Sequence, residues 1–310
     1  MKSPTSLNYE TRPCKFTERR MLLASFTRII GVLKQEYQYI GFGGLAFTDF
    51  KLFHKELHIN QMYSIEACYS KEKIEFNKPY SFIGIEHGRS TDVLSKIDLT
   101  IPTIIWLDYD GALSDTVFFD LRKCIYNLPH GSIYIISCNR ELKNEENVHC
   151  SVEELRNRFG HLVPFDLKDN CCADCNVAHT IKKMLETECY SVIQERNRLN
   201  QEKVCFKLLF NLKYAEHRGA RMYTFGGIIL KEEEKEINLN LNEFDFVSTN
   251  DPYEINIPNL TYVETAHLNK ILNIEEQEKQ LIDQHILSEN DINKYKQFYK
   301  YLPNFYDVRI

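Results

Sequence analysis

Apolar residues recur along this chain with two alternating periods. Between positions 18 and 34 they fall at Met21, Leu22, Phe26, Ile29, Ile30 and Leu33, the spacing of a helix with one buried face. The run Tyr37-Gln38-Tyr39-Ile40 then enters Gly41-Phe42-Gly43-Gly44, a strand meeting a glycine turn. What leaves the turn reads as a helix over 45–57, with Leu45, Phe47, Phe50, Phe53 and Leu57 near one face. Met62 to Glu66 predicts a second strand with an acid at its end, and Tyr80 to Ile85 a third, followed by a short helical link from Asp92 to Lys96. Pro102 to Leu107 is an unbroken apolar run, the signature of a parallel strand covered on both faces, and it stops at Asp108-Tyr109-Asp110-Gly111. A helix over 114–127 and a strand over 131–137 complete the alternation. Strand and helix in turn predict a mostly parallel sheet with helices on both faces.

The pattern changes at residue 140. Residues 140–202 are charged and helical in spacing and read as an insertion. The stretches 206–214 and 221–230, joined by a short linker with Gly219, predict an antiparallel pair, with a helix over 203–214 as the competing assignment. Phe244 to Val247 reads as an edge strand, Thr249 to Tyr253 as a turn, and the chain from Leu260 as helical, with aromatic residues Tyr295, Phe298, Tyr299, Tyr301, Phe305 and Tyr306 near its end. The expected organisation is a polar arm over 1–20, a core over 21–139, the insertion over 140–202, the last core strands over 203–250 and a helical extension over 251–310.

Composition narrows the function classes. A chain of 310 residues with 38 basic and 44 acidic side chains has net charge −6, which argues against binding nucleic acid over its whole surface. No apolar run is long enough to span a bilayer, and the polar N-terminus lacks the core of a secretion signal, so a cytoplasmic location is expected. Ten cysteines in such a chain read as reduced thiols. Cys172-x-x-Cys175 has the spacing of half a zinc site, with His179 beyond it and His161 before it, but no second half exists, so no metal is expected.

Candidate chemistry gathers at strand ends. A glycine turn between strand and helix either lets a ligand approach the backbone or serves the turn alone. Glu66 lies about twenty residues beyond Gly44, where doubly wound sheets place an acid that accepts hydrogen bonds from ribose hydroxyls. Asp108 and Asp110 stand at the carboxyl end of the central strand, where such sheets hold their ligands, although an aspartate there also caps a helix. In the N-terminal arm, Arg12, Lys15, Arg19 and Arg20 are either solvated or donors to a phosphate or carboxylate.

Five parallel-type strands, the turn Tyr39-Ile40-Gly41-Phe42-Gly43-Gly44, the strand-end acid Glu66, the ending Trp106-Leu107-Asp108-Tyr109-Asp110 and the late hairpin together resemble the class I methyltransferases that use S-adenosylmethionine. The resemblance spans roughly residues 20–230. It implies a Rossmann-like, doubly wound α/β fold with a mostly parallel sheet and a terminal antiparallel hairpin. It also implies that Tyr39, Gly41, Gly43 and Gly44 line the cofactor, that Glu66 holds its ribose and Glu86 borders its adenine, and that Asp108, Tyr109 and Asp110 face the reacting methyl and the acceptor. Two departures stand out: Tyr39 replaces the acid usual before the first glycine, and the turn lacks a third spaced glycine. The chain is similar, too, to bacterial proteins described as O-methyltransferases, some accessory to phage defence. The alternatives are a non-catalytic module of the same fold that acts through protein partners, by way of the C-terminal helices, and a nicotinamide-dependent oxidoreductase. The methyl acceptor is not legible.

Overall fold

The computed structural model describes residues 12–216 and 221–303. Strands β1 (Gln38–Gly41), β2 (Gln61–Glu66), β3 (Ile83–His87), β4 (Thr103–Ala112) and β5 (Ile133–Asn139) are parallel. Strand β7 (Arg221–Lys231) runs antiparallel between β5 and β6 (Val204–Ala215), so the competing helix over 203–214 is excluded. With β8 (Tyr253–Ile255) the order is β3-β2-β1-β4-β5-β7-β6-β8. This is the expected Rossmann-like arrangement, in which the chain leaves from the middle of the sheet and returns on both sides.

Side chains on the central strands alternate between two cores. Tyr39, Ile104 and Trp106 face α1 (Pro13–Leu33), α2 (Thr48–Leu57) and α3 (Lys71–Asn77), through buried residues such as Phe26, Phe50 and Ile74. Ile40, Ile105 and Leu107 face the opposite layer of α4 (Ser90–Val93), α5 (Asp115–Asn127), α6 (Val152–Phe159) and α7 (Val177–Leu199). The helical insertion is thus no appendage: Ile181, Met184 and Leu185 of α7 cover a sheet face. Helices α8 (Tyr262–Ile271), α9 (Glu275–Asp283) and α10 (Glu289–Phe298) enclose a third, small core.

Two local expectations change. The stretch expected as a polar arm is helical from Pro13, which lacks an N–H in the first helical turn, where no intrahelical acceptor exists for one. Lys15, Glu18 and Arg19 are buried there because each has an oppositely charged partner. Residues 1–11, with Tyr9, lie outside the described residues, as do 217–220 with Gly219, and Phe305 and Tyr306. The edge strand is not 244–247, where Val247 makes a lone bridge to Phe210, but Tyr253–Ile255, in the stretch expected as a turn. The segment before it is held to β6 by Asn211, whose side-chain amide donates to the carbonyls of Thr249 and Asn250, and Tyr253 pairs with Leu212. Finally, Tyr295 and Phe298 of the aromatic C-terminal stretch are buried.

Candidate functional site

Parallel strands put their carboxyl ends on one edge of the sheet, and register decides which residues meet there. Gly41 lies opposite both Ser64 and Trp106, Glu66 opposite His87, and Asp108 opposite Ser137. The glycine turn, Glu66 and the end of β4 are therefore neighbours.

The turn is tied down by Ser64, whose hydroxyl accepts from the Gly43 N–H at 3.1 Å. A Cβ on Gly43 would lie 2.5 Å from that hydroxyl and 2.8 Å from the Phe47 ring, so glycine is required by packing. Gly44 differs: it has φ +54° and open space where a Cβ would be. Tyr39 lies inside the core, 1% exposed, edge-on to Phe50 and Phe53, with burial pushing its hydroxyl far above the usual range.

At the end of β2, one oxygen of Glu66 accepts from the N–H groups of Cys68 and Tyr69 at 2.6 and 3.2 Å. The carboxylate therefore shapes its own turn. The Glu66 carbonyl accepts from the Gly88 N–H at 2.8 Å, which joins this turn to the end of β3. Glu86, half-buried, lies opposite Ile65.

The end of β4 carries the most chemistry. Between Asp108, opposite Ser137, and Ala112, opposite Asn139, β4 has two more residues than its partner. The surplus is a bulge that lifts Tyr109, Asp110 and Gly111 off the ladder, a common device for re-aiming side chains. Tyr109 packs edge-on against Phe42 and donates its hydroxyl to Oδ2 of buried Asp120 at 2.6 Å, where Ser90 also donates. Burial and Asp120 together hold the Tyr109 hydroxyl far above its usual range, so it stays a donor. Burial raises the Asp120 carboxyl as well, against the two hydroxyl bonds, and its Oδ1 has no hydrogen-bond partner. Asp110 stands at the exposed rim. Partial burial and the charge of Asp108 raise its carboxyl, with Glu66 adding to this and Arg12 and Lys15 opposing it.

Asp108 meets a cluster brought by α1. The Lys15 ammonium lies 2.9 Å from Asp108 and 2.8 Å from Glu18, and 4.2 Å from the centroid of the Trp106 ring. Lys15 is 1% and Glu18 0% exposed. Thr224 donates to Glu18; Thr224 and Ser137 are hydrogen-bonded at 2.6 Å, and Ser137 accepts from the Trp106 indole at 2.9 Å. Burial raises the Glu18 carboxyl while Lys15 lowers it; the Lys15 ammonium is raised, its two carboxylates outweighing burial.

The fold thus gathers Gly41, Gly43, Gly44, Glu66, Glu86, Asp108, Tyr109 and Asp110 along one edge and leaves Tyr39 beneath it. Ser90, at the end of the stretch 86–90 that the resemblance sets near the adenine, instead donates to Asp120, and Glu18 and Asp120 carry no signal in the sequence. Their partners are distant in sequence and no spacing rule links them, whereas Lys15 had been a candidate donor. All ten cysteines are unpaired thiols. Cys172 is buried 3.7 Å from the Cys171 sulfur, Cys175 is exposed, and His179 faces Asp251 at 3.4 Å. Among the described residues no group of three His, Cys, Asp or Glu side chains is arranged to hold a metal ion. No helix among them is long and apolar enough to cross a membrane.

Comparison with known proteins places this arrangement among others. No curated protein matches the chain in sequence. Among solved structures, Trm1 from Pyrococcus horikoshii with S-adenosyl-L-methionine matches 71% of this chain and 56% of its own, at 7% identity and TM-score 0.45. Human N-acetylserotonin methyltransferase in complex with SAM matches 68% of this chain and 51% of its own, at 9% identity and TM-score 0.34. The chain thus spans little more than half the length of these two. A putative O-methyltransferase from Klebsiella pneumoniae matches 68% of this chain and 80% of its own, at 13% identity and TM-score 0.37. A family described as "Putative O-methyltransferase" matches residues 7–310.

Proposed function

The chain belongs to this O-methyltransferase family, and from that premise we propose that it moves a methyl group from S-adenosylmethionine to an acceptor hydroxyl at the carboxyl edge of β1, β2 and β4. The observation that carries the reading is the convergence there of an open glycine turn, a strand-end carboxylate and a bulged acidic strand end. These residues fit the cofactor. Gly44 leaves its backbone approachable, and Glu66, Asp108 and Asp110 put negative charge where a sulfonium cation would lie.

Bound S-adenosylmethionine supplies a methyl already activated on sulfur, so the protein's tasks are alignment and the handling of one proton. Gly41, Gly43 and Gly44 line the methionine part, Glu66 accepts the ribose hydroxyls and Glu86 borders the adenine. Asp108 is anchored by Lys15 and orients the acceptor. Asp110, exposed at the rim and with a raised carboxyl, takes the proton of the acceptor hydroxyl, because a base works best with its pKa nearer the working pH. Tyr109, fixed by Asp120 and Phe42, walls the site between them.

Isothermal titration with S-adenosylmethionine, with NAD as control, tests the reading. Binding of the former alone is expected, weakened about tenfold or more in Glu66→Gln, which keeps the size of the side chain but loses its charge. Binding of NAD, or of neither, rejects it. One observation favours a second reading, a binding module without catalysis: Asp108 is engaged by Lys15, and one oxygen of Glu66 by its own turn. Cofactor binding with no transfer of labelled methyl into any component of a cell extract is the result expected of that reading.

A further inference from the structure

Two arginines stand side by side at the carboxyl edge, beyond the acidic end of β4. Arg140 follows the last residue of β5, and its N–H donates to the carbonyl of Arg221, the first residue of β7, at 2.8 Å. The pairing is antiparallel, so these two opposed residues carry their side chains on one face. Both reach Asp174, in the turn before α7. Arg140 gives Nη1 to its backbone carbonyl at 3.0 Å, and Arg221 gives Nη1 to its carboxylate. Neither guanidinium makes another hydrogen bond among the described residues, and Nε of Arg140 is enclosed without an acceptor. One aspartate thus serves two guanidiniums. Arg221 foremost, with Arg140 and His149 behind it, holds the Asp174 carboxyl below the usual carboxylate range. The other carboxylate that acts on Arg221 is Glu141, which lies 3.4 Å from Lys143. The Arg221 and Asp174 side chains are 42% and 55% exposed, so a solute can reach the pair. Register sets its distance from β4. Asn139, just before Arg140, lies opposite Ala112, where the bulge with Asp110 ends, and opposite Met222, just after Arg221. The two arginines are therefore one and two strand spacings from the bulge, roughly 5–10 Å across the sheet.

We propose that Arg140 and Arg221 bind an anionic group, a carboxylate or a phosphate, carried by the methyl acceptor, which is then a small hydroxylated acid. The inference rests on the function proposed above and names the class of its acceptor. A guanidinium is a planar fork of donors that matches either oxyanion, and two adjacent forks hold one such group by several charge-assisted bonds. Asp110 repels the anionic end while the arginines draw it toward β5 and β7, so the pair decides which end of the acceptor faces the bulge. Its hydroxyl and its anionic group stand that same short distance apart, which a para-substituted phenol spans. The anionic group takes no part in the transfer, which occurs at the hydroxyl. Asp174 holds the guanidiniums in place, and its carboxylate competes with the ligand for Arg221.

The probes are para-hydroxybenzoate and para-hydroxyphenyl phosphate, with neutral para-hydroxybenzamide as their counterpart. Each is titrated calorimetrically into the full chain, with and without S-adenosylhomocysteine. At least one anion is expected to bind about tenfold or more tighter than the amide, and which one does so separates carboxylate from phosphate. Arg140→Gln and Arg221→Gln are each expected to erase that preference and to leave affinity for S-adenosylmethionine unchanged. Asp174→Asn is expected to strengthen anion binding, because it frees Arg221. A purely structural ion pair predicts the opposite: the same substitution would leave anion affinity unaltered or lower it. If the arginine variants do not fold, Asp174→Asn decides alone, at an exposed position. Absence of any preference for an anion overturns the inference, as does a preference that survives both arginine substitutions. The cofactor reading falls separately, if S-adenosylmethionine does not bind, and the anion preference stays measurable without it.

Discussion

At the scale of single residues, the site rests on close packing and on buried charge. Gly43→Ala forces a methyl against the Ser64 hydroxyl and the Phe47 ring, an overpacking expected to cost about 1–3 kcal/mol in chemical denaturation. Ala at Gly44 meets no atom but must adopt a left-handed backbone, so its penalty is conformational. Asp120 gives a pH prediction. Its carboxyl is raised in the folded state, so the fold holds a proton that the unfolded chain releases. Unfolding free energy therefore falls as pH rises from the ordinary carboxylate range through the raised value, and levels beyond it. Asp120→Asn keeps an acceptor for Ser90 and Tyr109 and removes this contribution. Its denaturation midpoint is expected to vary less with pH than that of the unaltered protein, with no loss of stability at neutral pH. Asp108 and Asp110 are legible as strand-end acids, because that position carries a rule. Asp120 and Glu18 are not, because their contacts arise only when α5 and α1 fold over the strand ends.

At the scale of elements, β4 and α1 do the most to build the site. The apolar run through Leu107 was legible as a strand; its continuation to Ala112 was not, because Tyr109, Asp110 and Gly111 belong to a bulge that alternation cannot signal. Helix α1 was legible from its apolar face, but its start at Pro13 was obscured by charges that look solvated until their partners appear. The anchor of α1 is Phe26, fully buried and edge-on to Phe53 and Phe210. Phe26→Ala is expected to cost about 3–5 kcal/mol in urea denaturation. It should also weaken cofactor binding if α1 serves the site as proposed, whereas a mutation of equal cost in α9 should not. The edge strand β8 is not legible, since it is only three residues long and the segment leading to it is held by hydrogen bonds from residues distant in sequence, Asn211 among them.

At the scale of the whole molecule, two large cores flank the sheet and a third, small one lies under the C-terminal helices. Small clusters with few buried side chains open at lower free energy than central strands. Hydrogen exchange is therefore expected to release the amides of α8 and α9 well before those of β4 and β5. Equal protection throughout would show that the extension and the sheet unfold as one unit. The hydrogen bond from Thr224 to Glu18 joins residues 206 apart in the chain. During synthesis, then, the strands that would line a ligand, β1 to β5, leave the ribosome long before β7 does. Until then Glu18 and Lys15 lack the hydroxyl that completes their enclosure, and the edge of β5 that β7 will occupy lies bare. A truncated or paused chain would expose that strand edge as a template for pairing with another molecule. Messages or mutations that stop translation before residue 231 should accordingly give aggregates rather than a half-formed, ligand-competent chain.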